Sequence, residues 1–377
     1  MYIWQTSSWP EFHYQLSELK PRLESVLALQ RSLVGEAQGL PDGLDREAEM
    51  DALIQNTLQT SEIEGEKLNV GSVRSSVAKQ LGIEKAGLAA QGTRQTESLV
   101  AMLRAATRDL EKPLSQKQLC DWQAALFPEP PITKHLIMGE LRDQAPMQVV
   151  SRKGGREIVH FEAPPRDTLE TELDTFTTWF NTSETQAEYG LLRAAIAHLW
   201  LITLHPFDDG NGRVARALTD RALAQSEQTS IRFYSLSAAI ENNREAYYEM
   251  LEKTQSCQTE SQQKDSLDIT QWINWFLCVL SEAMRQGQLR IQRVIDKARF
   301  WQKHSQTVLS ERQIKVLNRL LDTEGEAFLQ GINARKYQGI ADVSKATATR
   351  DLADLLGKGC IRQLPAGGRS TRYKIDV

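Results

Sequence analysis

"LHPFDDGNGRVARAL", residues 204–218, crowds one His, two Asp, one Asn, two Gly and two Arg between apolar helical stretches. A structural turn needs none of that charge density. Gly210 and Gly212 permit positive φ and leave no Cβ in the way. Successive backbone N–H groups there can converge into a nest for an anion. A helix starts near Gly212–Arg213, and its N-terminal dipole also favours phosphate. Arg213 and Arg216 lie three apart, so they share a helical face, and guanidinium forks match phosphate oxygens. Asp209 is a hard oxygen ligand suited to Mg²⁺. His205 is the natural proton acceptor near neutral pH. A base, a metal carboxylate, an anion nest and two Arg suit nucleophilic attack on a phosphate. The chain carries no GxxxxGK[ST] run and no GxGxxG after a strand, which excludes Walker A and dinucleotide-binding readings.

The surrounding chain sets the frame. Its 377 residues are 41% apolar and 25% charged, with formal net charge −4. That is a globular composition for one to three domains, with no general pull toward nucleic acid or anionic lipid. Cys120, Cys257, Cys278 and Cys360 form no CxxC pair, so zinc knuckles and redox pairs are excluded. Scattered thiols suit a reducing cytosol. The opening "MYIWQTSSWPEF" has no basic region followed by an apolar run, and "LLRAAIAHLWLITL" (191–204) is too short to span a bilayer. A cytoplasmic location without membrane attachment is expected.

The expected fold is mainly α. Helical periodicity covers "WPEFHYQLSELKPRLESVLALQRSLVGEA", interrupted by one Pro, and "DREAEMDALIQNTLQTSEIEGEKL", with Gly65 as its stop. Residues 146–163 read as a β-hairpin, "MQVV" and "EIVHF" flanking "SRKGGR". Residues 284–308 read as a polar linker helix. From 309 to 377, three helices precede two β-prone runs around a Gly pair, a winged-helix pattern.

The loop resembles the signature of Fic-domain proteins, HxFx[D/E]GNGRxxR, at His205, Phe207, Asp209, Gly210, Asn211, Gly212, Arg213 and Arg216. Fic proteins with the full signature are mostly adenylyltransferases, which move AMP from ATP to a Ser, Thr or Tyr hydroxyl of a protein. The resemblance implies that His205 deprotonates the hydroxyl and that Asp209 holds Mg²⁺ on the α- and β-phosphates. It implies that Asn211 and the glycine backbone cradle the α-phosphate, and that Arg213 and Arg216 take the β- and γ-phosphates. Phe207 would be a packing anchor; Pro206 and Asp208 are left structural.

"TSEIEGE" (60–66) by itself reads as a solvated acidic helix end with a Gly cap. It also resembles the family's inhibitory pattern [S/T]xxxE[G/N], at Thr60, Glu64 and Gly65. That resemblance implies a Glu64–Arg216 ion pair that excludes the γ-phosphate, in a helix of about residues 46–65 within an N-terminal module, 1–95. The catalytic domain would then span 96–283. The hairpin is similar to the family's flap, which aligns a target segment by strand addition, with its edge at Glu157, Ile158, Val159 and His160. Tyr247 and Tyr248 would flank the adenine, with Asn243 or Gln255 at its polar edge; a core position for one Tyr is equally open. His198 reads as a core histidine, and His13, His135 and His304 receive no role. Trp4 and Trp9 resemble the packing anchors of a short N-terminal module of some Fic proteins.

Expected partners are a hydroxyl-bearing target protein, the chain itself as substrate, DNA through the winged helix, and a second copy. The candidate recognition helix carries Lys345 and Arg350 but also Asp351 and Asp354, so a protein-binding wing stays open. A DNA-binding regulator with a nucleotide-sensing Fic domain, transfer of another nucleotide, and de-adenylylation are the competing functions.

Overall fold

The computed structural model describes residues 1–41, 43–83, 91–129, 136–153, 156–256, 267–322, 331–365 and 371–376. His135, Gly154, Gly155 and Cys257 lie outside them. The chain divides into two compact units, Met1–Gly39 with Asp45–Gln288, and Leu40–Leu44 with Leu289–Val377. No helix among the described residues is long and apolar enough to cross a membrane.

The first unit is built on two helices, α7 (Ala187–Leu204) and α8 (Asn211–Glu227). Around α7, Leu191, Ala194, Ala195, Ala197, Leu199 and Leu204 are all fully buried. A helix apolar on every side belongs inside a domain. Ala215, Ala217, Ala222 and Ala224 of α8 are equally buried, and their small side chains allow close packing on α7. Phe176 and Phe180 of α6 (Leu169–Thr182) enclose the pair, with Trp272 and Phe276 of α11 (Thr270–Lys303). Truncating such a ring to Ala costs about 3–5 kcal/mol. Buried Arg221 donates to the carbonyls of Ala106, Arg108, Asp109 and Lys112, answering the orphan acceptors after α4 (Arg94–Ala106).

Around this pair stand α1 (Leu16–Gln38), α2 (Leu44–Ile63), α3 (Val70–Leu81), α5 (Gln116–Ala125), α9 (Leu236–Asn242) and α10 (Arg244–Gln255). The helical reading of residues 9–15 is corrected. Trp9 and Phe12 join Trp200 in an aromatic cluster with centroids 5.4–6.0 Å apart. The chain turns through Trp9 and Pro10, and β1 (Phe12–His13) then pairs in parallel with β4 (Leu267–Asp268). Trp9 Nε1 donates to Glu172, and Trp4 Nε1 to the carbonyl of Glu162.

The hairpin is longer than its β-prone runs. β2 (Gln148–Lys153) and β3 (Arg156–Glu162) are antiparallel, with Lys153 opposite Arg156 and a bulge between Val149 and Val150. "SRK" is therefore strand rather than turn. α11 also departs from expectation, for it runs unbroken through the segment read as a linker. Met284, Ile291 and Val294 lie on one buried face of the helix, and Phe300 is buried on another, in the core of the second unit.

In the second unit, α12 (Glu311–Asp322), α13 (Ala334–Ala341) and α14 (Lys345–Gly357) precede the antiparallel pair β5 (Ile361–Gln363) and β6 (Tyr373–Ile375). Phe300, Val316, Leu317, Ile332, Tyr337, Leu352 and Leu355 form its core. Asn333 and Ser344 side chains cap α13 and α14.

Candidate functional site

The loop between α7 and α8 is bent by two left-handed residues. His205 ends α7 at φ 48°, ψ 56°, and Gly210 starts α8 at φ 88°. A Cβ on Gly210 would lie 2.7 Å from Leu126 Cδ1, so neither the backbone nor the space admits a side chain there. Phe207 is fully buried and anchors the bend. Asn211 closes it, its side-chain oxygen accepting from Phe207 N at 3.0 Å and its amide donating to Phe207 O at 2.7 Å. The resemblance assigns Asn211 to the α-phosphate; in this structure its amide is engaged by the loop itself. Asp208 accepts from Ile137 N.

His205 Nδ1 lies 3.2 Å from the carbonyl of Ile202. A carbonyl only accepts, so Nδ1 carries the proton and Nε2 holds the lone pair. Burial pushes the imidazole down to about 4, partly offset by that backbone bond, with Arg142 lowering it further. It is therefore a neutral ring at pH 7. His198 is lowered to about 3 by burial and sits between Thr219 Oγ1 and Tyr247 Oη, each at 2.9 Å, as a core group.

The acidic tail of α2 meets this loop. Gly65, at φ 83°, donates to Glu62 O, and Glu66 N donates to Ser61 O. These two bonds close the helix at Ile63 and leave Glu64 in the turn just beyond it. Helix α2 then runs along α8 in steps of four. Asn56 Nδ2 donates to Asp220 Oδ2 at 2.8 Å. Thr60 accepts from Arg216 twice, at Oγ1 from Nε and at O from Nη2, each at 2.8 Å. Glu64 Oε1 accepts from Arg216 Nη2 at 2.8 Å. That carboxylate stands so close to α8 that a Cβ on Gly212 would lie 2.2 Å from Oε1. Burial alone would raise the Glu64 carboxyl; the charge and hydrogen bond of Arg216 outweigh it and hold it below its ordinary value.

Arg213 Nη1 donates to Glu66 Oε2 at 3.0 Å, and Nη2 lies 3.7 Å from Asp209 Oδ1. Its guanidinium stands 5.2 Å from the centroid of the Phe127 ring. Arg213 Nε and Arg216 Nη1 are buried with no hydrogen-bond partner among the described residues. Buried donors in that condition are costly. Asp209 is half-exposed, and Gly210 N occupies its Oδ1 at 2.6 Å. One such carboxylate fits Mg²⁺, which keeps several waters and takes its other oxygens from phosphate. Among the described residues no group of three or more metal-ligating side chains occurs.

The structure brings Thr60, Glu64, His205, Asp209, Arg213 and Arg216 to one place, and it does not gather the expected base pocket. Tyr247 is buried, bonded to His198 and stacked on Trp275 at 5.7 Å. Gln255 is buried and donates to Thr203. Asn243 is engaged by Ala239 O and Glu282. Tyr248 alone is exposed, its hydroxyl donating to Ile63 O at the end of α2. On the hairpin, Glu157, Ile158 and Val159 are exposed, while His160 bridges Ser151 Oγ at 2.7 Å and Glu252 at 3.1 Å.

Arg142 and Gln123 are among the residues that sequence reasoning missed. Buried Arg142 donates from Nε to His205 O at 2.9 Å and from Nη2 to Pro164 O, tying the loop to the hairpin base. Buried Gln123 donates to Asp209 O and accepts from Gly139 N. Neither sits in a motif, so no local signal marks them.

Residues 113–223 match the Fic/DOC family, and residues 2–83 match a domain of unknown function, DUF4172. A uridine 5'-monophosphate transferase of Xanthomonas campestris pv. campestris (strain 8004) is 46% identical over 65 residues, 16% of this chain and 12% of that protein. A protein adenylyltransferase Fic of Nematostella vectensis is 33% identical over 94 residues, 24% of this chain and 20% of that protein. The matches thus span a fifth or less of those two relatives. A Fic family protein from Desulfovibrio desulfuricans G20 superposes with TM-score 0.50 at 18% identity, covering 94% of this chain and 96% of its own. The chain carries a Fic domain.

Proposed function

We propose that this Fic domain is a protein nucleotidyltransferase that moves AMP from ATP to a Ser, Thr or Tyr hydroxyl, and that α2 holds it in check. The observation carrying this reading is the pair of buried arginines at the α8 N-terminus, each with an unpartnered N–H. Near them stands a neutral imidazole, protonated at Nδ1 and bearing its lone pair on Nε2. Arg213, Arg216 and the loop N–H groups hold the polyphosphate. Nε2 of His205 takes the proton as the target oxygen attacks the α-phosphorus. The bond from that phosphorus to the bridging oxygen breaks, and pyrophosphate leaves. Asp209 is the residue that would hold Mg²⁺, which when bound neutralises charge on the phosphates. The exposed strand edge of the hairpin, at Glu157–Val159, presents the target segment by strand addition.

Uridylyl transfer and de-adenylylation use the same groups. Incubating Glu64→Gly protein with each α-labelled nucleoside triphosphate separates them. Label is expected on protein from ATP; label only from UTP would reassign the nucleotide, and none from any triphosphate would end the transfer reading.

A second reading concerns residues 309–377, taken as a winged helix. Asp351 and Asp354, which count against DNA in the sequence, are drawn into side-chain contacts. Asp351 is buried on Arg312 at 2.6 and 3.1 Å and on Tyr337 at 3.0 Å, and Asp354 accepts from Gln313 and Lys358. Lys345, Thr349 and Arg350 remain on the exposed face of α14. The full chain is expected to bind a short DNA duplex in a salt-dependent manner. Lys345→Glu with Arg350→Glu is expected to weaken that binding about tenfold or more. Anisotropy that stays flat at low salt would remove this reading.

A further inference from the structure

We infer that Glu66 is a second internal competitor for the nucleotide, holding Arg213 as Glu64 holds Arg216, so that "Glu64-Gly65-Glu66" stands in for two successive phosphates. The two carboxylates flank one glycine, and each reaches a different arginine of the same helical face. Glu64 Oε1 meets Arg216 Nη2 at 2.8 Å, and Glu66 Oε2 meets Arg213 Nη1 at 3.0 Å. The placement of Glu66 is not a loose surface encounter. Its backbone N–H is fixed on Ser61 O at 3.0 Å by the same closure that sets Glu64. Its partner is only 4% exposed, is backed by Phe127 and keeps an unpartnered Nε.

A guanidinium whose plane offers two N–H edges can hold a carboxylate on one while the other awaits an oxygen. Arg213 Nε is buried without a partner among the described residues, and Nη2 lies 3.7 Å from Asp209 Oδ1. A phosphate drawn to Arg213 competes with the Glu66 carboxylate for Nη1, because each added anion repels those already there. The geometry divides the labour. Glu64 opposes a third phosphate on Arg216, and Glu66 opposes a second phosphate on Arg213. The sequence pattern at residues 60–65 covers only the first of these. Removing Glu64 alone therefore leaves Arg213 still engaged, and release proceeds in two steps.

The identity of the ligand as a nucleoside polyphosphate rests on the function proposed above; the competition between Glu66 and a second phosphate does not rest on transfer chemistry. The test titrates AMP, ADP and ATP, with Mg²⁺, into the full-length wild type, Glu66→Gln, Glu64→Gly and the double variant. Gln keeps the backbone bond to Ser61 and the length of the side chain. Glu66 is about a third exposed, so the expected gain is modest. Glu66→Gln binds ADP about three- to tenfold tighter and ATP likewise, with AMP unchanged. Glu64→Gly tightens ATP with little change for ADP, and the double variant tightens ATP beyond either single. An unchanged ADP affinity in Glu66→Gln, or an equal gain for AMP, overturns the inference. So does a failure of all four proteins to bind ADP. Labelled-AMP incorporation by Glu64→Gly is scored in parallel. If incorporation persists while the ADP effect is missing, Glu66 fails and the transfer reading stands. If the ADP effect appears without incorporation, the reverse holds.

Discussion

Replacing His205 by Ala in a Glu64→Gly background is expected to lower AMP incorporation by about 10²–10⁴-fold, the usual contribution of a positioned general base. The loss should fall on the chemical step, with ATP affinity nearly kept, because the phosphate seats lie on α8 and not on the imidazole. Backbone strain is a competing explanation, since His205 sits at φ 48°. Ala pays roughly 1–2 kcal/mol in that region, whereas Asn tolerates it. His205→Asn should therefore lose activity equally while unfolding at a temperature closer to that of the parent. The pH profile gives a second check. The folded ring titrates near 4, below the 6.5 of an unperturbed histidine. The lone pair on Nε2 is present above about pH 4 and is lost below it. The acid limb of kcat/KM is expected near pH 4, and a limb at 6.5 would show that burial does not govern this ring. The same shift acts on stability. An unfolded His205 takes up its proton below about pH 6.5 while the folded ring stays neutral, so its contribution is present above 6.5 and fades as pH falls toward 4.

What could be read without coordinates followed the distance between partners. The loop announced itself because its base, carboxylate, glycines and arginines fall within 205–216. Thr60 and Glu64 carried no such signal, since Arg216 is 156 and 152 residues away from them. Only the resemblance joined them. Asn56 on Asp220, Arg142 on His205 and Glu66 on Arg213 are pairings of the same long-range kind with no motif to mark them, and they stayed hidden. The aromatic pair shows a different limit. Tyr247 and Tyr248 are adjacent on α10, so helical geometry turns them about 100° apart, and sequence could not say which one faced inward. Tyr247 did, because His198 on the buried face of α7 needed a partner for Nε2. At α11, polar composition concealed a buried face that reaches Val294, since the water-facing side of a half-exposed helix dominates any average.

The second large effect is expected from Glu64→Gly, which should raise AMP incorporation into protein, including the chain itself, by about 5- to 150-fold. The reasoning starts from Arg216, which is 2% exposed and has one carboxylate within ion-pair distance among the described residues. With Glu64 in place, its Oε1 covers the first turn of α8 at Gly212, and a phosphate on Arg216 would have to share that space. Removing the carboxylate opens the seat and strips a buried charge of its counter-ion. Loss of one partner of a buried pair destabilises by about 3–5 kcal/mol at the upper end. Here the two bonds from Arg216 to Thr60 persist and moderate that loss. The variant should therefore unfold at a lower temperature than wild type when nucleotide is absent. ATP with Mg²⁺ should recover more of that loss than ADP, because a third phosphate can replace the missing carboxylate. Two independent measurements thus bear on one contact. If incorporation by Glu64→Gly equals that of wild type while ATP still restores its melting temperature, Arg216 is a phosphate seat but Glu64 is no brake. If neither moves, the Glu64–Arg216 pair serves only to fasten α2 to α8.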